Sequence, residues 1–210
     1  MKRVPEKMVE RLLKYLELVK EKMSKGEHFV FSHELAERAG VSAVQVRRDL
    51  MEFDIKGTPQ KGYPVEEFFS QVCSHVKCNT KTKLALVGVG NLGKAILSYF
   101  LKRRPNLEIV AAFDSDDKKT NRIYCGYKVY HISDLYSVAK KENISVGIIT
   151  VPAEAAQEIA DMLVKAGIKG IVNFAPQTIK VPSDVFVEQI DITLSIEKTA
   201  YFAHKMCNRR

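Results

Sequence analysis

No uninterrupted apolar run in this 210-residue chain approaches the roughly 20 residues that a bilayer-spanning helix needs. The first stretch, MKRVPEKMVERLLKYLELVK, is charged throughout and lacks the apolar centre of a secretory leader. These absences argue against a membrane-embedded or exported protein, so a soluble, cytoplasmic one is expected. Cysteine is scarce: Cys73, Cys78, Cys125 and Cys207 show no Cys-x-x-Cys spacing and have no clustered histidines beside them. Neither a zinc site nor a disulfide framework is indicated. Reduced thiols are the expectation, with a redox role for Cys73 and Cys78 as the alternative.

Enzyme signatures are missing as well. There is no nucleophile elbow, no metal motif and no phosphate-transfer lysine. None of the histidines (His28, His33, His75, His131, His204) follows a sheet strand with a carboxylate partner at a productive position. No catalytic residue and no metal ligand is therefore expected. Charge of one sign is in modest excess, 33 Lys and Arg against 25 Asp and Glu. Residues 1–80 hold 14 of the former and 12 of the latter, so the net charge of +8 does not by itself mark a nucleic-acid face.

What is present falls into two parts of different character, residues 1–80 and 81–192, with a terminal segment at 193–210. Met8, Leu12, Tyr15, Leu16, Val19 and Met23 recur at helical spacing and predict an amphipathic helix ended by Ser24 and Gly26. SHELAERAGVSAVQVRRDL then reads as two short helices turned at Gly40, the first capped by Ser32 and the second by Ser42. Ser42 with Gln45 forms a capping box. In this helix-turn-helix, Ser42, Ala43, Gln45, Arg47 and Arg48 occupy the outer face of the second helix, where side chains reach bases and phosphates in the major groove. The turn-rich FDIKGTPQKGYPVEEFF fits a hairpin wing, with Lys56 and Lys61 available to phosphate. Val65, Phe68, Phe69 and Val72 make a further helical stripe before the polar KCNTKTK.

In KLALVGVGNLGKAILSYF a strand over Leu84–Val87 runs into Gly88, Gly90 and Gly93, the G-x-G-x-x-G of a dinucleotide-binding turn, followed by a helix. The segment Gly88, Val89, Gly90, Asn91, Leu92 and Gly93 is the candidate pyrophosphate cradle, helped by the free N–H groups of the helix start. A second strand, LEIVAAFD, ends at Asp114, 21 residues past Gly93, where a carboxylate holds ribose hydroxyls and repels a 2′-phosphate. NAD(H) is favoured over NADP(H). YKVYH, SVGIIT and IKGIVNFAP alternate with helical segments and predict a Rossmann-type doubly wound parallel sheet, an α/β fold. Thr150, Val151 and Pro152, and Asn173 with Phe174, stand at strand ends and are candidates for the nicotinamide half. Only 34 residues follow Pro176, too few for a substrate domain. DITLSIEKTAYFAHKMCNRR predicts an apolar terminal helix that docks on its own sheet or on a second subunit.

VSAVQVRRDL, KGY, VGVGNLG, AAFDSD, TVPAEAA and AGIKGIVNFAP, in this order over nearly the whole chain, resemble the Rex family of NADH-responsive transcriptional repressors. The resemblance implies a winged-helix domain, a Rossmann domain and a homodimer with exchanged C-terminal helices. It also implies palindromic operator DNA released on NADH binding, with NAD+ as competing ligand. On matching positions Tyr63 joins the DNA-contacting set, and Tyr99 and Asp191 meet across the dimer as switch residues. The chain departs from the family at Pro59 and Gln60, where arginine and glycine are usual in the wing, at Glu17, where arginine is often found, and after the tyrosine of SYFLKR, where Pro-Gly is usual. TVPAEAA also resembles the CoA-binding domain of acyl-CoA synthetases. The alternatives to a repressor are thus a small NAD-dependent oxidoreductase and a CoA-binding module.

Overall fold

Helix α1 (Glu6–Ser24) buries Leu12, Tyr15, Leu16 and Val19, one side of its apolar period, and so begins the core of the first of two units. The structure is a computed structural model that describes residues 4–58, 61–78, 80–100 and 106–207, and the units divide between Thr80 and Lys81. In the first unit β1 (Phe29–Val30), α2 (Ser32–Ala39), α3 (Ala43–Met51), β2 (Tyr63–Pro64) and α4 (Val65–Val76) follow α1. Strands β1 and β2 pair antiparallel, and Thr58 bridges Gly62 to close the wing hairpin. Pro59 and Gln60 lie outside the described residues. Leu35, Val46, Leu50, Val65, Phe68 and Val72 join α1 in one core. Full burial of such side chains contributes about 1.5–3 kcal/mol each before chain entropy is counted.

Gly40 ends α2 in a left-handed conformation, φ 70°, which lets Val41 fold back onto the core. Two capping expectations need correction. Ser32 is the first residue of α2 rather than its cap; Phe31 holds the cap position, its N–H donating to the Glu34 carboxylate at 2.8 Å. At α3 the Gln45 N–H does donate to Ser42 Oγ, at 3.2 Å, but the Gln45 side chain turns to Asp49, so only half of the box forms.

The structure also joins Cys73 to Cys78 in a disulfide, correcting the expectation of free thiols. A continuing helix would carry Cys78 about 7.5 Å further along its axis. Lys77 instead adopts φ 51° and the Cys78 N–H donates to the Cys73 carbonyl, which brings the two Cα atoms to 4.9 Å. Cys125 is free and exposed.

The second unit contains β3 (Thr82–Val87), α5 (Asn91–Phe100), β4 (Leu107–Asp114), β5 (Ile123–Tyr124), β6 (Tyr127–His131), α6 (Leu135–Glu142) and β7 (Val146–Ile149). These are followed by α7 (Ala153–Lys165), β8 (Gly170–Asn173), β9 (Phe186–Gln189) and α8 (Ile192–Cys207). Among the described residues the sheet has seven strands in the order β5-β6-β4-β3-β7-β8-β9. Apart from the antiparallel β5–β6 hairpin every pairing is parallel. The chain therefore starts at the centre on β3, winds outward through β4 and β6, then returns to β7 on the other side. Between β3 and β7 lies a crevice at the switch point, the place where open α/β sheets bind ligands. Separate apolar cores cover the two faces of the sheet.

Helix α8 differs from every other helix named above, because none of its side chains described, from Ile192 to Met206, is buried. Ile192, Leu194, Ile196, Tyr201, Phe202 and Met206 are among the exposed large hydrophobics. No helix among the described residues is long and apolar enough to cross a membrane.

Candidate nucleotide cleft and nucleic-acid interface

The switch-point crevice is a cleft of about 740 Å³. Its floor is shaped by steric necessity at two glycines. Gly88 has φ +101°, and a Cβ there would sit 2.6 Å from the Thr150 carbonyl oxygen; one on Gly93 would sit 2.0 Å from the Gly88 carbonyl oxygen. Only glycine lets α5 start this close to β3 and β7. Thr150 completes the stitch, its Oγ1 donating to the carbonyls of Val87 (3.0 Å) and Gly88 (2.7 Å). At Gly90, by contrast, a Cβ would meet nothing, so the space over the turn is open toward the α5 N-terminus.

Asp114, at the end of β4, is buried to 7 % exposure. Its carboxylate accepts the Val89 N–H (2.7 Å), the Asp116 N–H (2.9 Å) and Lys119 Nζ (3.1 Å). Burial pushes the carboxyl up, but the two backbone N–H groups and Lys119 outweigh it and hold Asp114 below the ordinary carboxylate range. It is therefore an anion at neutral pH. Cleft and carboxylate fit a dinucleotide: open backbone beside a helix start for a pyrophosphate, and an acceptor for a ribose diol.

Of the residues singled out in the sequence, Gly88, Gly90, Asn91, Leu92, Asp114, Thr150, Val151 and Pro152 line the cleft together. Val89 is buried behind it, holding Asp114, and Gly93 packs beneath the turn. Asn173 and Phe174 are not among its walls. The Asn173 amide donates to the Gln177 carbonyl and to Gln189 Oε1, both at 2.8 Å, and accepts the Ala175 N–H, so it organises the loop after β8. Phe174 packs on the apolar core of one sheet face. Lys119, Ile132, Ser133 and Met162 line the cleft and went unread. Ile132 and Ser133 were findable, since they follow the carboxyl end of β6. Among the described residues no group of three or more His, Cys, Asp or Glu could hold a metal ion.

In the first unit, α3 carries a buried polar network on its inner side. Asp49, fully buried, accepts Arg11 Nε (2.6 Å), Arg11 Nη2 (2.7 Å), the Tyr15 hydroxyl (2.9 Å) and Gln45 Nε2 (2.9 Å). Burial raises the Asp49 carboxyl, yet the hydrogen bonds from Arg11, Gln45 and Tyr15 prevail and hold it below the ordinary range, while burial and Asp49 drive Tyr15 upward. Because the folded-state value lies below the unfolded one, this stabilisation is complete above about pH 4 and is lost as pH falls through the lowered value. Acid unfolding of the first unit should thus steepen below about pH 4, and Asp49→Asn should flatten that limb; circular dichroism melts at stepped pH measure it.

Since a carboxylate only accepts, the Gln45 NH₂ must face Asp49, and two-point adenine recognition by a free Gln45 amide is not what the fold presents. Arg47 and Arg48 are exposed, Arg47 Nη1 donating to Ser32 Oγ at 3.1 Å. Lys56 and Lys61 are exposed too, Ser42 stands exposed at the cap, and Ala43 and Tyr63 are half-buried, the Tyr63 ring meeting Phe68 edge-on. Val44, unread in the sequence, is half exposed on the same helix.

Comparison with known proteins draws these two surfaces together. Residues 3–50 match the family model of a putative DNA-binding protein N-terminus, and residues 79–177 that of a CoA binding domain. A redox-sensing transcriptional repressor Rex of Listeria monocytogenes is 39% identical over 204 residues, 96% of this chain and 90% of its own. That of Carboxydothermus hydrogenoformans is 38% identical over 195 residues, 93% and 94% of the two chains. The chain belongs to the Rex family of redox-sensing transcriptional repressors. Among solved structures the Rex-family repressor RSP, 29% identical, superposes at a TM-score of 0.85 over 98% of this chain and 96% of its own. RSP with β-NAD+ and operator DNA gives 0.90 over 98% and 95%, and RSP with β-NADH 0.84 over 98% and 97%.

The two residues expected to meet across a dimer have definite local settings. Tyr99 is half exposed near the end of α5, its ring edge-on to Phe100. Asp191 accepts the Leu194 N–H at 2.8 Å and so caps α8. Glu17 lies on α1.

Proposed function

We propose that this chain is a transcriptional repressor that holds operator DNA as a homodimer and leaves it when NADH is bound, acting in the cytoplasm. The observation that carries the reading is the presence, in one chain, of an open carboxylate-walled dinucleotide cleft and an exposed arginine-bearing recognition helix. Full-length similarity to a repressor solved with both ligand types supports it. Asp114 accepts the adenosine ribose hydroxyls, and the backbone from Gly88 to Gly93 with the start of α5 receives the pyrophosphate. Thr150, Val151 and Pro152 border the nicotinamide, with Asn173 and Phe174 supporting that edge from behind.

On the DNA side Ser42, Ala43, Arg47, Arg48, Lys56, Lys61 and Tyr63 form the contact set, with Val44 facing thymine methyl groups, while Gln45 braces the helix from within through Asp49. The exposed apolar residues of α8 cross to a second copy, next to Tyr99 and Asp191. A ligand shifts such a two-state equilibrium only by its unequal affinity for the states; moving from about 1% to 99% takes roughly 10⁴-fold, about 5.5 kcal/mol. NAD+ competes for the cleft without favouring release.

The test is a gel shift on the promoter nearest the gene, adding NADH, NAD+, NADPH and CoA separately. Release by NADH alone is expected; release by CoA would transfer the cleft to the CoA-binding reading, and turnover of NADH by the purified protein would favour an oxidoreductase. Arg47→Ala should weaken operator binding about tenfold, at a cost near 1.4 kcal/mol, and lower the slope of log K against log salt by about 1 if it holds phosphate. Fluorescence anisotropy across a salt series measures both.

A further inference from the structure

We propose that Cys73 and Cys78 are a modification site, a dithiol that hydroperoxide closes to a disulfide and cellular thiols reopen, so that the repressor takes a second redox input besides NADH. The pair is joined here, with Cα atoms 4.9 Å apart. A repressor working on DNA sits in a compartment where thiols are kept reduced, and disulfides found there are usually transient and regulatory. Three local features suit a reversible pair. Cys78 is partly exposed while Cys73 is 2 % exposed, which gives one sulfur that an oxidant reaches and one that resolves. The turn that juxtaposes them is backbone-made, by left-handed Lys77 and the Cys78 N–H to Cys73 carbonyl bond. Both side chains also belong to, or pack against, the apolar core, so opening the bond leaves the sulfurs adjacent.

The chemistry balances. The Cys78 thiolate attacks one oxygen of hydrogen peroxide; the O–O bond breaks, an S–O bond forms, and the other oxygen leaves as water after protonation. The Cys73 thiolate then attacks the Cys78 sulfenic sulfur, forming S–S, and the departing hydroxide takes a proton to give a second water. Two thiols lose two electrons and one peroxide gains them. Reopening is two thiol–disulfide exchanges with a small thiol.

The position gives the bond its consequence. It ties the chain down as far as Cys78, leaving residues 79–81 before β3 begins at Thr82. In the dithiol only the Cys78 N–H bond and the packing of Cys78 hold the turn beyond the end of α4 at Val76, so the free connection lengthens whenever that turn opens. A shorter connection transmits a change at the cleft to the DNA-reading unit more tightly. The disulfide form should therefore release operator at lower NADH.

This effect rests on the repressor reading, so the experiment has two arms on the full-length protein. Treatment of the reduced chain with a few equivalents of hydrogen peroxide should lower its mass by about 2 Da per chain and protect two thiols from N-ethylmaleimide, reversibly with dithiothreitol. The NADH concentration for half-release should fall at least threefold on oxidation, and Cys78→Ser, at the partly exposed position, should release like the reduced protein whatever the peroxide. No closure, or closure with an unchanged release curve, overturns the proposal. A reduced protein that binds no operator or ignores NADH would overturn the repressor reading instead, and hydrogen exchange across residues 74–82, slower in the oxidised form if the anchor is real, then decides the dithiol.

Discussion

Replacing Asp114 by alanine should lower the affinity for NADH about 30-fold and leave operator binding within about twofold of wild type. The carboxylate is ionised, nearly buried and faces the cleft, and hydrogen bonds to a charged acceptor are each worth about 1.5–3 kcal/mol. Losing the net worth of one such interaction, about 2 kcal/mol, corresponds to that factor. Discrimination should collapse in parallel. With the anion gone, Lys119 loses its partner at 3.1 Å and keeps only Asp116 at 3.9 Å, so its charge is less neutralised at the ribose edge and NADPH should gain affinity. Asp114→Asn separates the two effects, because it keeps an acceptor for Val89 and the diol while removing the repulsion. Isothermal titration with NADH and NADPH reads both constants; an unchanged NADH affinity in Asp114→Ala would sink the assignment of this carboxylate.

The second large effect is expected at Asp49, which reaches no ligand. Asp49→Ala leaves the Tyr15 hydroxyl and the Gln45 NH₂ without their acceptor and strips Arg11 of its carboxylate, a break that typically costs about 3 kcal/mol or more. The first unit should lose stability by that amount and melt at a lower temperature. Operator affinity should fall at least tenfold even at temperatures where the unit stays folded, since α3 is no longer held to α1. NADH binding in the second unit should persist, and calorimetry with titration on the same sample tests the separation. Equal loss of both activities would mean that the network stabilises the whole chain and does not position the helix.

Much of this architecture was legible because it depends on local pattern. The Gly88–Gly93 turn, the strand ending at Asp114 and the apolar period of α1 all follow from residue types at fixed spacing. What escaped notice was set by distant contacts. Gln45 reads as a base-contacting side chain on any helical wheel, and its amide is drawn to Asp49, four residues on along the same helix, because Arg11, 38 residues before Asp49, and Tyr15 hold that carboxylate in the core. Asn173 reads as a ligand contact at a strand end, whereas Gln189 on β9 claims it. Strand β9 itself was missed because FVEQ is a short edge strand lacking a clear alternation. The Cys73–Cys78 bond hinges on one left-handed lysine, a conformation that no pattern announces.

A helix of sixteen residues with no buried side chain described is at the limit of what water tolerates on its own. Its order is bound to the arrival of whatever covers Ile196, Tyr201 and Phe202. With a second copy as that cover, completing the fold is a bimolecular event whose extent follows subunit concentration. The regulator would then possess a threshold in its own abundance: diluted below it, each subunit would carry a frayed tail and a solitary DNA reader, deaf to the cofactor for want of a mate.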